Sequence, residues 1–286
     1  EAKATLNSDD GPWTTPLALA VKRGHANVVR ALLDAKATIP LTWDGYTLLH
    51  EAAEKWHGEI VRALVDAKAE LNIRDCQKER NVLSVALRNN DVATVKVLVE
   101  AKADLGPGDY ADRTALLTAA SYCIPDIVQF LLNAKASLHD TDKDNITALH
   151  LAAENGRAGN VQVLLDAKAL VDAKDKNGQT PLHMVADSRP LHEDVVKILV
   201  DAKADIDTKD KNGRTPLHLA VVKDHTAVAT VLVAFKATVD VSDNQGKTAL
   251  HRAVERNHND TLRVLLSSPA DLRIGGATKA SRKRRH

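Results

Sequence analysis

The triplet Ala-Lys-Ala recurs about every 33 residues, with its lysine at Lys3, Lys36, Lys68, Lys102, Lys135, Lys168 and Lys203. Phe235-Lys236-Ala237 continues the series and Ser268-Pro269-Ala270 ends it. A second series keeps fixed phase with the first: Thr47-Leu48-Leu49-His50, Thr147-Ala148-Leu149-His150, Thr180-Pro181-Leu182-His183, Thr215-Pro216-Leu217-His218 and Thr248-Ala249-Leu250-His251. Looser versions begin at Thr15, Asn81 and Thr114, which makes eight complete units. Two interleaved motifs at one period restrict the fold to a repeat array. A unit of this size cannot bury an apolar face alone, so neighbours must stack into one elongated core.

Each unit reads as two helices. Thr215 suits a helix N-cap, and Pro216 suits the first helical position, where a missing N–H costs nothing. Leu217, Leu219, Ala220 and Val221 then make a short first helix. A second helix carries apolar pairs four residues apart: Val28-Val29 with Leu32-Leu33, Ile60-Val61 with Leu64-Val65, Ile127-Val128 with Leu131-Leu132, and Val195-Val196 with Leu199-Val200. That spacing predicts a helix buried over a broad face. Turn-rich stretches such as Asp210-Lys211-Asn212-Gly213 lead into the next cap.

Composition narrows the function. Aromatic residues are only 3% of the chain, so Leu, Val, Ile and Ala must build the core. A formal net charge of +1 argues against a whole-chain electrostatic grip on nucleic acid. No apolar run approaches the ~18 residues of a membrane span, so no membrane insertion is expected. Two cysteines, Cys76 and Cys123, exclude a disulfide scaffold and a four-thiolate zinc site, and they fit a reducing compartment.

The 33-residue period, the Thr-Pro-Leu-His helix start and the recurring helix end resemble ankyrin repeats over residues 1–274. The resemblance implies an all-α repeat solenoid: two antiparallel helices per unit, then a β-hairpin finger. It also implies a concave surface of finger tips and first helices that binds proteins without catalysis. One departure is systematic. The family has glycine where this chain has Lys36, Lys68, Lys102, Lys135, Lys168, Lys203 and Lys236. That glycine ends the second helix at positive φ. A lysine there costs about 1–2 kcal/mol, and a cation at a helix C-terminus recovers about 0.3–1 kcal/mol. These lysines are expected to keep the left-handed cap. The lysine row could attract anions, but Asp34, Asp66, Glu100, Asp166 and Asp201 each stand two residues before a stripe lysine and cancel much of its field.

Partial repeats are expected at both ends. Glu1-Ala2-Lys3-Ala4-Thr5-Leu6-Asn7 matches a repeat end, so either a segment of a longer array or a processed product is expected. The lysine-to-cap distance shortens between Lys36 and Thr47 and lengthens between Lys68 and Asn81, which predicts two altered fingers. Extra residues around 187–192 predict a protruding loop between helices, either a tolerated insertion or part of a binding face. Residues 275–286 leave the pattern as a flexible basic tail. Its five cations turn a remainder of −4 into the overall +1. Such a run is either a solvated end, a nuclear-import signal or a nucleic-acid contact.

No catalytic residue, cofactor site or metal site is expected. The nucleophile elbow, the P-loop and the dinucleotide turn are absent. The resemblance assigns the motif histidines to backbone hydrogen bonds between repeats, and His25, His57, His225 and His258 recur before second helices. The aromatics are more selective. Trp13, Trp43, Tyr46 and Tyr110 sit in finger segments, and Trp56 and Tyr122 sit near first-helix ends. Six of eight aromatics therefore fall between residues 13 and 122, with Arg80, Arg88 and Arg113 among them. Trp, Tyr and Arg are the usual anchors of protein interfaces. Either these nine residues form a partner site, or the rings pack between fingers as local glue. The reading is a non-catalytic interaction scaffold or adaptor, expected as a cytoplasmic monomer, with the nucleus as the alternative compartment. The alternative function is a regulatory or targeting domain of a larger enzyme, channel or effector.

Overall fold

The structure, a computed structural model, describes residues 6–7, 11–41, 44–76, 79–109 and 111–267. Eight helix pairs follow one another. They are α1 (Pro16–Arg23) and α2 (Ala26–Asp34), α3 (Leu48–Glu54) and α4 (Gly58–Asp66), α5 (Val82–Arg88) and α6 (Val92–Glu100), and α7 (Ala115–Tyr122) and α8 (Pro125–Asn133). The rest are α9 (Ala148–Glu154) and α10 (Ala158–Asp166), α11 (Pro181–Asp187) and α12 (Glu193–Asp201), α13 (Pro216–Val222) and α14 (Thr226–Ala234), and α15 (Ala249–Arg256) and α16 (Asn259–Leu266). First helices stack on first helices from α1 to α15, second helices form a row beside them, and each pair packs internally. One continuous core of Leu, Val, Ile and Ala runs between the rows. The fold is an all-α repeat solenoid.

The threonines do what their spacing predicts. Thr15 Oγ1 accepts from Ala18 N at 3.1 Å, and Asn81 Oδ1 accepts from Ser84 N at 2.8 Å. Where the fourth residue is histidine, the cap is reciprocal. His150 Nδ1 accepts from Thr147 N at 3.2 Å while Thr147 Oγ1 accepts from His150 N at 3.3 Å. Histidine thus fills the place that Glu usually takes in a capping box.

The second helices end as expected, with every described stripe lysine at positive φ: Lys36 65°, Lys68 64°, Lys102 67°, Lys135 66°, Lys168 72°, Lys203 70° and Lys236 66°. The backbone bonds complete a Schellman motif. Lys168 N donates to Leu165 O and Ala169 N to Leu164 O, both at 2.9 Å. The other six lysines repeat this pair of bonds. Ala-Lys-Ala therefore reads as cap, left-handed residue and returning strand.

The fingers are more economical than hairpins. Among the described residues the only antiparallel pairings are the isolated bridges Arg74–Asn81, Thr141–Thr147 and Ser242–Thr248. Aspartates close turns instead: Asp175 Oδ1 accepts from Asn177 N and Gln179 N, and Asp210 Oδ1 from Asn212 N and Arg214 N, with the same pattern at Asp109, Asp142 and Asp243. Backbone bonds then zip finger to finger, as Lys176 N to Asp144 O, Lys211 N to Asn177 O and Asn244 N to Asn212 O.

Two expectations change. In α2 only Val29 is fully buried, and Val28 exposes 48% of its surface, since among the described residues no helix packs on that side of it. The loop at 187–192 folds onto the next repeat at one point. Arg189 Nε donates to His225 Nε2 and Arg189 Nη2 to Lys223 O, both at 3.0 Å, although Arg189, Pro190 and Leu191 remain exposed. The tail at 275–286 lies outside the described residues.

Candidate functional site

Trp13 and Tyr46 come from consecutive fingers and meet with ring centroids 5.5 Å apart. Tyr46 also stacks on His50 at 5.5 Å, so an aromatic column caps the start of α3. The Tyr46 hydroxyl lies 3.0 Å from both Glu51 Oε2 and Glu54 Oε2 on α3. Burial, then the two carboxylates, push its pKa up, so it stays a neutral donor. Glu54 in turn takes Arg80 Nη2 at 2.8 Å. A chain of contacts thus links Trp13, Tyr46, Glu54 and Arg80 across three repeats.

A second cluster adjoins it. Arg88, the last residue of α5, donates from Nη2 to buried Asp109 at 2.8 Å and lies over the Tyr122 ring at 5.1 Å. Its Nη1 also reaches the Tyr122 hydroxyl at 3.3 Å. Arg113 faces Asp142 of the following finger, its Nε 3.8 Å from Oδ2. Aspartates in fingers also hold Arg214 and Arg252 in the C-terminal half. An arginine on a finger aspartate therefore recurs in both halves of the array, and among the described residues only Arg88 adds an aromatic partner. Trp13, Tyr46, Tyr122 and these arginines are half-buried, whereas the His50 ring is fully buried.

Trp56 stands apart. It occupies the turn between α3 and α4 at φ 63°, with 60% of its surface exposed. It lies a helix length from Tyr46, about 10 Å for seven residues. Trp43 and Tyr110 lie outside the described residues.

The histidines are structural throughout the middle of the array. His50, His150, His183 and His218 are fully buried, and each Nε2–H donates to a carbonyl of the next repeat: Arg80, Gln179, Arg214 and Lys247, at 3.0–3.1 Å. Burial lowers the pKa of all four. His225 Nδ1 bonds Ala186 O at 2.9 Å and His258 Nδ1 bonds Val221 O at 2.8 Å, each reaching the preceding repeat. His192, placed by its sequence in the inserted loop, is the residue before α12 and so belongs to the same series. The signal was its position directly ahead of Glu193-Asp194, an acidic first turn.

Cys123 is buried, its thiol pushed up to about 12 by burial, and it donates to Leu87 O at 3.1 Å. Cys76 is exposed. Among the described residues no three His, Cys, Asp or Glu side chains converge to hold a metal ion, and no helix is long and apolar enough to cross a membrane.

The ankyrin-repeat family model matches residues 2–75, 71–142, 125–210 and 192–275. The chain belongs to the ankyrin-repeat family. Comparison with curated proteins finds no match. Ankyrin repeats are in general protein–protein interaction modules, and the histidine bridges, finger zip and Schellman ends above are how this ankyrin array holds its shape.

Proposed function

We propose that this array is a protein-interaction scaffold or adaptor whose partner docks on the finger and first-helix face of the first four repeats. The carrying observation is the pair of clusters formed by Trp13, Tyr46 and Arg80 and by Arg88 and Tyr122. Each side chain is held by a neighbouring repeat and is still only half-buried. Rings and guanidinium groups fixed before binding lose little conformational freedom on contact, which is what makes an interface anchor effective. Arg113 belongs to the same proposed surface and Trp56 marks its edge, while Trp43 and Tyr110 enter the proposal from the sequence alone. The work is done by rigid presentation, without covalent chemistry, in a cytoplasmic setting.

The test is quantitative affinity capture with the native chain, Arg88→Gln and Tyr46→Ala as baits, below the melting temperature of all three. A protein retained by the native bait and lost from both variants supports the face. An identical catch from all three overturns it and assigns the cluster to packing.

A further inference from the structure

Two residues on the turns between first and second helices break the rule that their positions follow in other repeats. The left-handed residue of that turn is Gly24, Asn90, Gly156, Asp224 or Asn257 in five repeats, at φ 52–74°. In the second repeat it is Trp56, at φ 63°. Glycine, asparagine and aspartate visit the left-handed region most readily, and a bulky ring held there is an outlier that points to use. The residue before the second helix is polar in seven repeats, as at His57, Asp91 and Arg157. In the fourth repeat it is Ile124, which caps α8 without a side-chain bond, although isoleucine is among the poorest N-caps. Both residues stand out in solvent: Trp56 exposes 60% of its surface and Ile124 40%. Among the described residues no ring or cation stacks on Trp56.

These turns lie side by side. Lys55 Nζ donates to Lys22 O at 3.1 Å, which sets the turn of the second repeat against that of the first. Asn89 Nδ2 donates to Ala53 O and Ile124 N donates to Asn90 Oδ1, both at 3.2 Å. One edge therefore runs from Lys22 and Arg23 past Trp56 and the two asparagines to Ile124. Lys22 and Arg23 are exposed, and among the described residues neither is held in an ion pair, whereas the Lys55 charge is held by Glu51 at 2.8 Å. Exposure here is a property of the turn: Arg23 shares its register with Lys55, Asn155 and Lys223, all internal and all exposed. Asn89 Oδ1 and Asn90 Nδ2, the halves of the two amides not used between turns, face no partner among the described residues.

We propose that an acidic, extended segment of a partner protein docks along this turn edge. Its apolar side chains cover Trp56 and Ile124, its main chain bonds to Asn89 and Asn90, and its carboxylates face Lys22 and Arg23. Three observations select that occupant. The two exposed apolar side chains stand two repeat steps apart, about 20 Å at helix-packing distance, which about six extended residues span. The free amide halves offer one acceptor and one donor, the complement of a peptide main chain. The unpaired cations call for carboxylates. Glu59 and Asp126 are exposed in the first turns of α4 and α8 on the same side. They would repel a bilayer of anionic lipid or an unbroken phosphate chain, whereas a peptide can set neutral residues opposite them. This inference does not rest on the finger-face reading, for which Trp56 is only an edge.

The probe is a fluorescein-labelled peptide, Leu-Glu-Glu-Asp-Glu-Glu-Leu, titrated with the full chain at low salt and read by fluorescence anisotropy. Saturable binding is expected from the native chain. Trp56→Gly and Ile124→Ser should each weaken it about tenfold or more, as the loss of an interface anchor does. Glycine suits the left-handed turn and serine suits the cap, so both variants should keep the native circular dichroism. Lys22→Gln with Arg23→Gln should weaken binding several-fold and flatten its salt dependence. Lys223→Gln, the same charge change in the same register on the seventh repeat, should leave it unaltered. A peptide that does not bind at about 1 mM protein overturns the proposal. So does binding that the Trp56 and Ile124 variants leave intact, or that Lys223→Gln weakens as much as the change at Lys22 and Arg23. Phosphatidylserine vesicles and oligothymidylate complete the set: binding to either that depends on Trp56, without binding of the peptide, reassigns the edge to a membrane or a nucleic-acid strand.

Discussion

Replacing Lys135, Lys168 and Lys203 together with glycine should raise stability, most clearly in high salt. Those residues sit at φ 66°, 72° and 70° in three consecutive Schellman caps, with exposed side chains. An L-residue in the left-handed region costs about 1–2 kcal/mol relative to glycine. Glycine returns roughly 0.4–1 kcal/mol of that by widening the unfolded ensemble. The lysine charge at the helix end contributes a further ~0.3–1 kcal/mol at low salt, which largely disappears near 1 M, where the Debye length is about 3 Å. At high salt each site should therefore gain about 0.8 kcal/mol, and the three together about 2 kcal/mol. For a domain of this size that is a rise in melting temperature of about 3–4 °C.

The assay is thermal and urea unfolding of the native and triple-glycine chains at low salt and near 1 M salt. The gain should be larger at high salt, because only there is the lysine's compensation stripped away. Lys168→Val alone should move the other way at both salts, since a branched Cβ is worse still at positive φ. A triple variant that melts at or below the native chain in high salt refutes the reasoning. It would mean that the Ala-Lys-Ala caps carry no left-handed strain.

Two further perturbations test the junctions. His150→Ala should cost about 2–3 kcal/mol, because it removes a fully buried side chain and strands the half-buried Gln179 carbonyl and the Thr147 N–H, whereas exposed His251→Ala should cost well under half of that in urea unfolding. The same burial predicts acid sensitivity: folded pKa values of the four core histidines lie below the ordinary 6.5, so the unfolded chain takes up protons first and stability falls as pH drops below about 6.5. A urea midpoint that is flat from pH 7.5 to 5.5 would contradict it. Gly213→Ala should cost more than Gly246→Ala although both sit near φ 74°, because the added Cβ would lie 2.7 Å from Asn244 N in the first case and in open space in the second.

What the sequence makes legible is whatever a repeat does within itself. Thr15, Thr147 and Thr215 cap because cap chemistry is local, and Lys168 is left-handed because its place in the motif requires it. What crosses between repeats is harder to read. The pairing of Arg88 with Asp109 and Tyr122 depends on side chains brought together from separate repeats, and so does the fold-back of Arg189 onto His225. The same apolar pair gives a buried Ile60 and an exposed Val28, since burial depends on the neighbour and not on the residue. The finger turns are closed by aspartate side chains with only isolated bridges, a detail that the turn-rich composition of Asp210-Lys211-Asn212-Gly213 cannot separate from a hairpin.

An array built by translation uses its shared residues to stack. The lysine caps and the finger aspartates recur along the array, and the motif histidine recurs in five of its eight repeats, because they serve folding and stacking, so none can tell one partner from another. Recognition then has to lie where repeats differ. In this chain they differ most in the first four fingers, where rings and arginines replace the Lys-Asn-Gly turns of the later units. A substitution on the fingers should therefore alter which protein is bound while leaving the stacking of the repeats intact.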